Sequence, residues 1–339
     1  MLRGLAAFAV MLFHYTTRYA EVFAPGGLPE HANPLGENAV HLFFIISGFV
    51  IFMTLSKTRT ALDFIVSRFS RLYPGYWAAV LLTFAVVTLA PLPGRTPTAG
   101  QLLVNLTMLQ TWLRVPPVDG VYWTLAVELS FYAIMLAVFL TGWLRRIEWF
   151  VIPWLVLEAA WAVLGHHRAL PKIVEISLLL KFAHLFLAGI LFYRLRFEGS
   201  TPFRHALLAL CFAVHAALHG LTAALFAVVF FAAFYALAAD RLTWLAARPL
   251  VFLGAISYSL YLVHQNIGYT VMRALGSFPR PLQIAAAVAL ALLLASALTF
   301  VVERPALRAI RDFFKKRRLS TPDRAAARGP AQNIFPTAP

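Results

Sequence analysis

Charged residues are scarce. Asp, Glu, Lys and Arg together make up 13% of the 339 residues, while apolar types reach 61%. A soluble domain carries about 25% charged residues, and a water-facing surface of this size needs them. With a mean hydropathy of +0.76, this excludes an ordinary soluble globule and a disordered chain. Cysteine is almost absent. Cys211 stands alone inside an apolar run, so the chain has neither an internal disulfide framework nor a cysteine-based zinc cluster. The sequence also lacks HExxH, a GxSxG elbow, a Walker loop and a dinucleotide fingerprint.

Long apolar runs remain. A helix needs about 20 apolar residues to cross roughly 30 Å of hydrocarbon. Runs of that kind fall near 2–20, 38–55, 74–91, 121–141, 149–165, 172–193, 203–219, 221–238, 250–272 and 282–302. The expected fold is therefore an all-α integral membrane bundle of about ten transmembrane helices. Only His219 and Gly220 divide the seventh run from the eighth. Residues 99–113 are too short and polar-spotted to span, and read as an interfacial or re-entrant helix.

The net charge of +15 would suggest nucleic acid in a soluble protein. Here topology accounts for it. With the N-terminus cytoplasmic, 21 of the 29 Lys and Arg fall on the inner side and 7 on the outer, as the positive-inside rule requires. Both termini are then expected in the cytoplasm, and no nucleic-acid partner is needed. Residues 1–310 read as one transmembrane domain, and 311–339 as a basic, disordered cytoplasmic tail. His14, Tyr15 and Arg18 stand where a signal-peptide cleavage site would be, so the first run reads as a retained span.

Ionisable groups within spans are costly and mark pathways or sites. Arg3 and His14 are eleven residues apart, which places them within about 20° on one helix face and ~16 Å apart along the axis. They read either as an anchor plus a core histidine or as two parts of a site. Arg68 and Arg71 share a helix side, where two guanidiniums either hold lipid phosphate or clamp a phosphorylated ligand. Pro74 should end that helix or open the next span. Glu128 lies ~10 Å deep in its span by helical rise. Ser257, Tyr261 and His264 form a polar stripe at i, i+4 and i+7. His14, Glu128 and His264 can share a depth near mid-bilayer. His41, Glu158, Lys181, His184 and His215 read as structural, with Lys181 and His184 pairing Glu158 or Glu175. No metal is expected.

Several of these residues recur in order in a known pattern. Arg3 and His14, the run LFFIISGF at 42–49, Arg68 and Arg71 before Tyr73 and Pro74, Trp123 to Tyr132 around Glu128, Ser257 to His264, and Glu303 with Pro305 make the chain resemble the membrane acyltransferase-3 family. The likeness covers essentially residues 1–310. His41 departs from it, since relatives often carry Asp before Leu-Phe-Phe. The resemblance implies an O-acyltransferase of the bacterial inner membrane. It would move an acyl group, acetyl by preference, from cytoplasmic acyl-CoA to a hydroxyl of a sugar in a surface glycan or glycosylated small molecule. The residues agree with that chemistry: His14 reads as general base on the acceptor hydroxyl, or as a transient acyl carrier, with Glu128 orienting it or stabilising its imidazolium, and Arg3, Arg68, Arg71 and Tyr73 on the coenzyme A donor. Ser257, Tyr258, Tyr261 and His264 would face the acceptor. A proton-coupled transporter or flippase of a lipid-linked sugar, relaying protons through His14, Glu128 and His264, is the alternative. The oligomeric state is not legible.

Overall fold

The computed structural model describes residues 1–23, 33–164 and 171–320, with backbone alone at Leu164 and 318–320, and all of its regular elements are helical. The first is α1 (Leu2–Phe13), followed without a break by a π-helical turn at His14–Arg18 and by α2 (Tyr19–Phe23). A π turn inserts one residue into the α ladder and is common at functional positions. Then come α3 (Pro34–Leu55), α4 (Ala61–Leu89), α5 (Ala99–Asn105), α6 (Trp123–Leu140) and α7 (Ile147–Leu164). The second half holds α8 (Lys172–Ser177), α9 (Ala183–Glu198), α10 (Pro202–Ala238), α11 (Arg248–Val263), α12 (Gln265–Ala274) and α13 (Arg280–Ala297). A second π turn at Leu298–Glu303 leads into α14 (Arg304–Ser320).

Among the described residues, five helices are long and apolar enough to cross a membrane, or six if the bent pair α11–α12 is one span. The bend between α11 and α12 is 71° and falls at His264. Two expectations are corrected here. Pro74 neither ends nor starts a helix: α4 runs straight through it, so Arg68 and Arg71 sit on the same helix as the apolar run that follows. The run 172–193 is not one helix. It is broken into α8 and α9, with Leu179 at a φ of 56° between them. The expected division at His219 and Gly220 is present, because Gly220 interrupts α10 with a φ of 78° and a ψ of −178°.

Local chemistry sets these boundaries. Asn33 caps α3 by accepting from the Gly36 N–H, with Pro34 in the first turn. Thr60 and Asp63 form a reciprocal capping box on α4. Thr98 and Gln101 do the same for α5, which is the short helix expected within 99–113. Residues 311–320, read from sequence as the start of a tail, continue α14; the remainder, 321–339, lies outside the described residues.

The centre of the bundle is α3 against α9. Gly48 and Gly189 face each other's helix so closely that a Cβ on either would overlap the partner backbone, at Phe186 and Ile45 respectively. Small residues allow such close crossing where water cannot drive helices together. α1 lies between α3 and α11, with Gly4 against the Gly254 backbone. That crossing brings the start of α1 alongside Tyr258 and its end alongside His264.

Candidate functional site

The end of α1 meets the end of α11 at two imidazoles. His14 Nδ1 lies 2.8 Å from the Val10 carbonyl oxygen and 3.2 Å from His264 Nε2. His264 Nδ1 lies 2.9 Å from the Tyr261 carbonyl and 3.1 Å from that of Leu260. Carbonyls only accept, so both Nδ1 atoms carry hydrogen when the rings are neutral. His264 Nε2 is then an acceptor facing the His14 N–H. His14 Nε2 is left with a free lone pair. His264 is fully buried, whereas His14 keeps partial exposure. The arrangement is a pre-oriented base with one open nitrogen.

The surroundings fix this pair. Tyr15 donates its hydroxyl to the His264 carbonyl at 2.7 Å. Asp119 accepts from the Asn266 N–H at 3.0 Å and from Val121 at 3.3 Å. Asn266 in turn donates to the Val118 carbonyl and accepts from Arg95 at 3.1 Å. Asp119, Asn266 and Arg95 thus hold the first turn of α12, directly after His264. Sequence reading missed all three. The only signal was a lone Asp beside Gly120 in an apolar context, which spacing does not connect to Asn266.

Along α1 toward Arg3 lies a small, partly open cavity. Its polar lining is Arg3, Ser47, Thr124, Glu128, Tyr258 and Tyr261. Glu128 accepts from Tyr132 Oη at 2.5 Å and from Ser47 Oγ at 2.9 Å. Thr124 donates to Tyr261 Oη at 3.0 Å. Arg3 lies over the rings of Phe43 and Tyr258, and Arg71 lies 5.5 Å from the centroid of the Tyr258 ring. Arg68 lies 5.9 Å from the ring of Tyr132. Three guanidiniums therefore gather around Glu128, Tyr132 and Tyr258. The Nε atoms of Arg3 and Arg68 are buried without a hydrogen-bond partner.

Some expected site residues are not brought together. Among the described residues Glu128 makes no hydrogen bond to His14. Its partners are Ser47 and Tyr132, and the residue that orients His14 is His264. Tyr73 lies away from the guanidiniums: its hydroxyl donates to the Thr107 carbonyl, and its ring stacks on Phe69 on the outside of α4. The pitch of α4 causes this, since Tyr73 is two residues from Arg71 and faces another side. Ser257 is buried and donates to its own helix at the Gly254 carbonyl. Tyr258 and Tyr261 reach the cavity, with their hydroxyls held by the Leu72 and Val121 carbonyls. Neither His14 nor His264 lines the cavity; the two pair with each other at the far end of α1. Arg71 is committed in part to an ion pair with Glu303. The expected pairings of Lys181 with Glu175 and of His184 with Glu158 are present.

Comparison with known proteins gives a consistent result. The acyltransferase domain family (Acyl_transf_3) matches over residues 1–300. Acyltransferase MdmB from Streptomyces mycarofaciens is 31% identical over 141 residues, a stretch covering 39% of this chain and 36% of that protein. The chain thus matches only about a third of that relative's length. No solved structure matches.

Proposed function

Because the chain belongs to the acyltransferase domain family, we propose that it transfers an acyl group, acetyl by preference, from acyl-CoA to a hydroxyl of a sugar in a cell-surface glycan or a glycosylated small molecule. The observation that carries this reading is His14: its Nδ1–H is tied to Val10 and His264, and its Nε2 is left open. An imidazole so held is a general base for a hydroxyl nucleophile.

The step balances as follows. The acceptor hydroxyl gives its proton to His14 Nε2 while its oxygen attacks the thioester carbonyl. The tetrahedral oxyanion collapses, the carbon–sulfur bond breaks, and the thiolate takes the proton back from His14. The products are the O-acyl ester and free coenzyme A. Tyr261 and Tyr258 line the cavity wall but already donate their hydroxyl hydrogens to the Val121 and Leu72 carbonyls, so each would have to leave that partner to donate to the oxyanion. The unpaired Nε groups of Arg3 and Arg68 suit the donor's phosphates. Arg71, already facing Glu303, contributes to the same positive field. Phe43 and Tyr261, both in the cavity lining, pack edge to face at 5.4 Å, and their side chains would have to part for the pantetheine arm to reach His14.

The finer topology belongs to this proposal: ten crossings of a bacterial inner membrane, both termini cytoplasmic, donor from the inside. The charge count across the loops supports it. Purified protein given acetyl-CoA with a labelled acetyl group and a mixture of glycan and glycoside acceptors should move label into an acceptor. A protein that neither binds acyl-CoA nor transfers label would refute the reading. Proton-linked sugar movement in vesicles would then favour the transporter alternative.

A further inference from the structure

A second cluster of histidines lies away from the Arg3 cavity, where α3, α9 and α10 converge. His184, His215 and His219 each offer a ring nitrogen, and these atoms all lie within 4.8 Å of one another. The His41 ring sits 4.9 Å from that of His215 and 4.7 Å from that of His219. Two buried nitrogens of the group, His41 Nδ1 and His215 Nε2, have no hydrogen-bond partner. Buried polar atoms are rarely left unpaired, so two in one cluster ask for a ligand.

The neighbours prepare these rings as ligands. Glu158 accepts from the His184 backbone N–H at 2.9 Å and lies 3.1 Å from His184 Nδ1. That frees His184 Nε2 and gives it a carboxylate behind the ring, the usual support of a metal-bound histidine. His219 Nε2 donates to the Lys181 carbonyl at 2.9 Å, which fixes its tautomer and frees Nδ1. Phe182 stacks on His219. His215 and His219 are four residues apart on one face of α10, immediately before its break at Gly220. This His-x3-His spacing is a common helical ligand pair, and reading the chain for HExxH passed over it.

We propose that His41, His184, His215 and His219 bind a divalent transition-metal ion, zinc by preference. Imidazole donors suit zinc, copper and nickel rather than magnesium or calcium. Tetrahedral zinc sits about 2.0–2.1 Å from each nitrogen, which sets the ligand atoms about 3.4 Å apart. The ligand nitrogens of His184, His215 and His219, within 4.8 Å of one another, would draw together by side-chain rotation, and the His41 ring would turn toward them. His184 Nε2 and His215 Nδ1, now 2.9 Å apart across one shared hydrogen, can both bind the ion once that hydrogen passes to His215 Nε2, which has no partner. Four protein ligands make a closed, structural site, clamping α3, α9 and α10 at two backbone breaks. This inference is independent of the acyl-transfer reading.

The test uses the full chain, free of any histidine tag, purified in detergent, stripped with a chelator and equilibrated with Zn²⁺. We expect one bound zinc by elemental analysis, a tetrahedral visible spectrum with Co²⁺ in its place, and a Zn²⁺-dependent rise in Tm. His219→Gln, at a half-buried member, should weaken zinc binding at least ~10-fold, and Glu158→Gln by about 10–100-fold. His205→Gln, outside the cluster, should leave it unchanged. Should His215→Gln fail to fold, His219→Gln and His41→Asn still decide the matter. No retained zinc in the wild-type protein, or unchanged affinity in both His219→Gln and His41→Asn, overturns the proposal.

Discussion

Arg71 on α4 and Glu303, the last residue of the second π turn, form an ion pair near the Arg3 cavity. Glu303 is 1% exposed and also accepts from Ser259 Oγ at 3.1 Å, which in turn takes a hydrogen bond from Thr299. Glu303→Gln leaves Arg71 facing a neutral group. Breaking a fully buried pair costs about 3–5 kcal/mol. Arg71 retains 30% exposure, so the expected loss is nearer ~2 kcal/mol. Thermal unfolding in detergent measures it. An unchanged midpoint would mean that the pair holds nothing together.

The pair also shows what kind of information the sequence carried. Glu303 and Arg71 are each visible as residues, but nothing local says that they meet. Long apolar runs were legible, because hydrocarbon thickness sets helix length directly. The break at Gly220 was legible from a glycine. The break between α8 and α9 was not. There, the Glu158 carboxylate accepts an N–H at the start of α9, so a distant helix satisfies the new helix end. An apolar string gives no sign of that. His14 and His264 were legible as two residues of like depth. That His264, not Glu128, backs His14 depends on which faces α1, α6 and α11 present to one another.

His14→Ala should lower kcat by about 10²–10⁴-fold, the usual contribution of a general base. The donor's Kd should stay within about twofold, since the proposed phosphate contacts are elsewhere. Stopped acyl transfer together with intact acyl-CoA binding is the expected signature. Near-normal turnover would remove His14 from the chemistry.

His264 acts through His14, and its substitution should look different. His264→Gln can still accept from the His14 N–H, through its side-chain carbonyl oxygen, whereas His264→Ala cannot. The Gln variant should retain much more kcat than the Ala variant, with KM little changed in both. The pH–rate profile should also shift in the Ala variant, because His14 loses its acceptor. Equal losses in both variants, with no change in profile, would make His264 a packing residue only.

Arg3 and Arg68 offer buried Nε groups without partners, so a phosphate-bearing donor should find them. Arg68→Ala and Arg3→Ala should each raise the Kd for acetyl-CoA about tenfold, equivalent to ~1.4 kcal/mol. The effect should shrink only modestly as salt rises, because both arginines are half-buried and ions screen such charges less than exposed ones. Removing the donor's ribose phosphate should weaken wild-type binding more than binding by whichever variant has lost that contact. Titration calorimetry on the purified protein separates these cases, and equal donor affinity in all three proteins would return both arginines to lipid anchoring.

Gly189→Val tests the crossing on which the whole site depends. A side chain there meets the Ile45 carbonyl and the Phe49 backbone on α3. Neither can move without shifting α3, which carries Phe43, Phe44 and Ser47 into the cavity. Overpacking in a tight core typically costs about 1–3 kcal/mol, with more expected when backbone must move. Valine's branching adds strain inside a helix. The expected outcome is a broadened or aggregated elution profile in detergent and weaker acyl-CoA binding in whatever folded fraction remains. Gly100→Ala, where a new Cβ meets nothing closer than Thr98 Oγ1 at 3.9 Å, should cost far less in both measurements. If Gly189→Val matched it, the α3–α9 crossing would not be what holds Ser47 against Glu128.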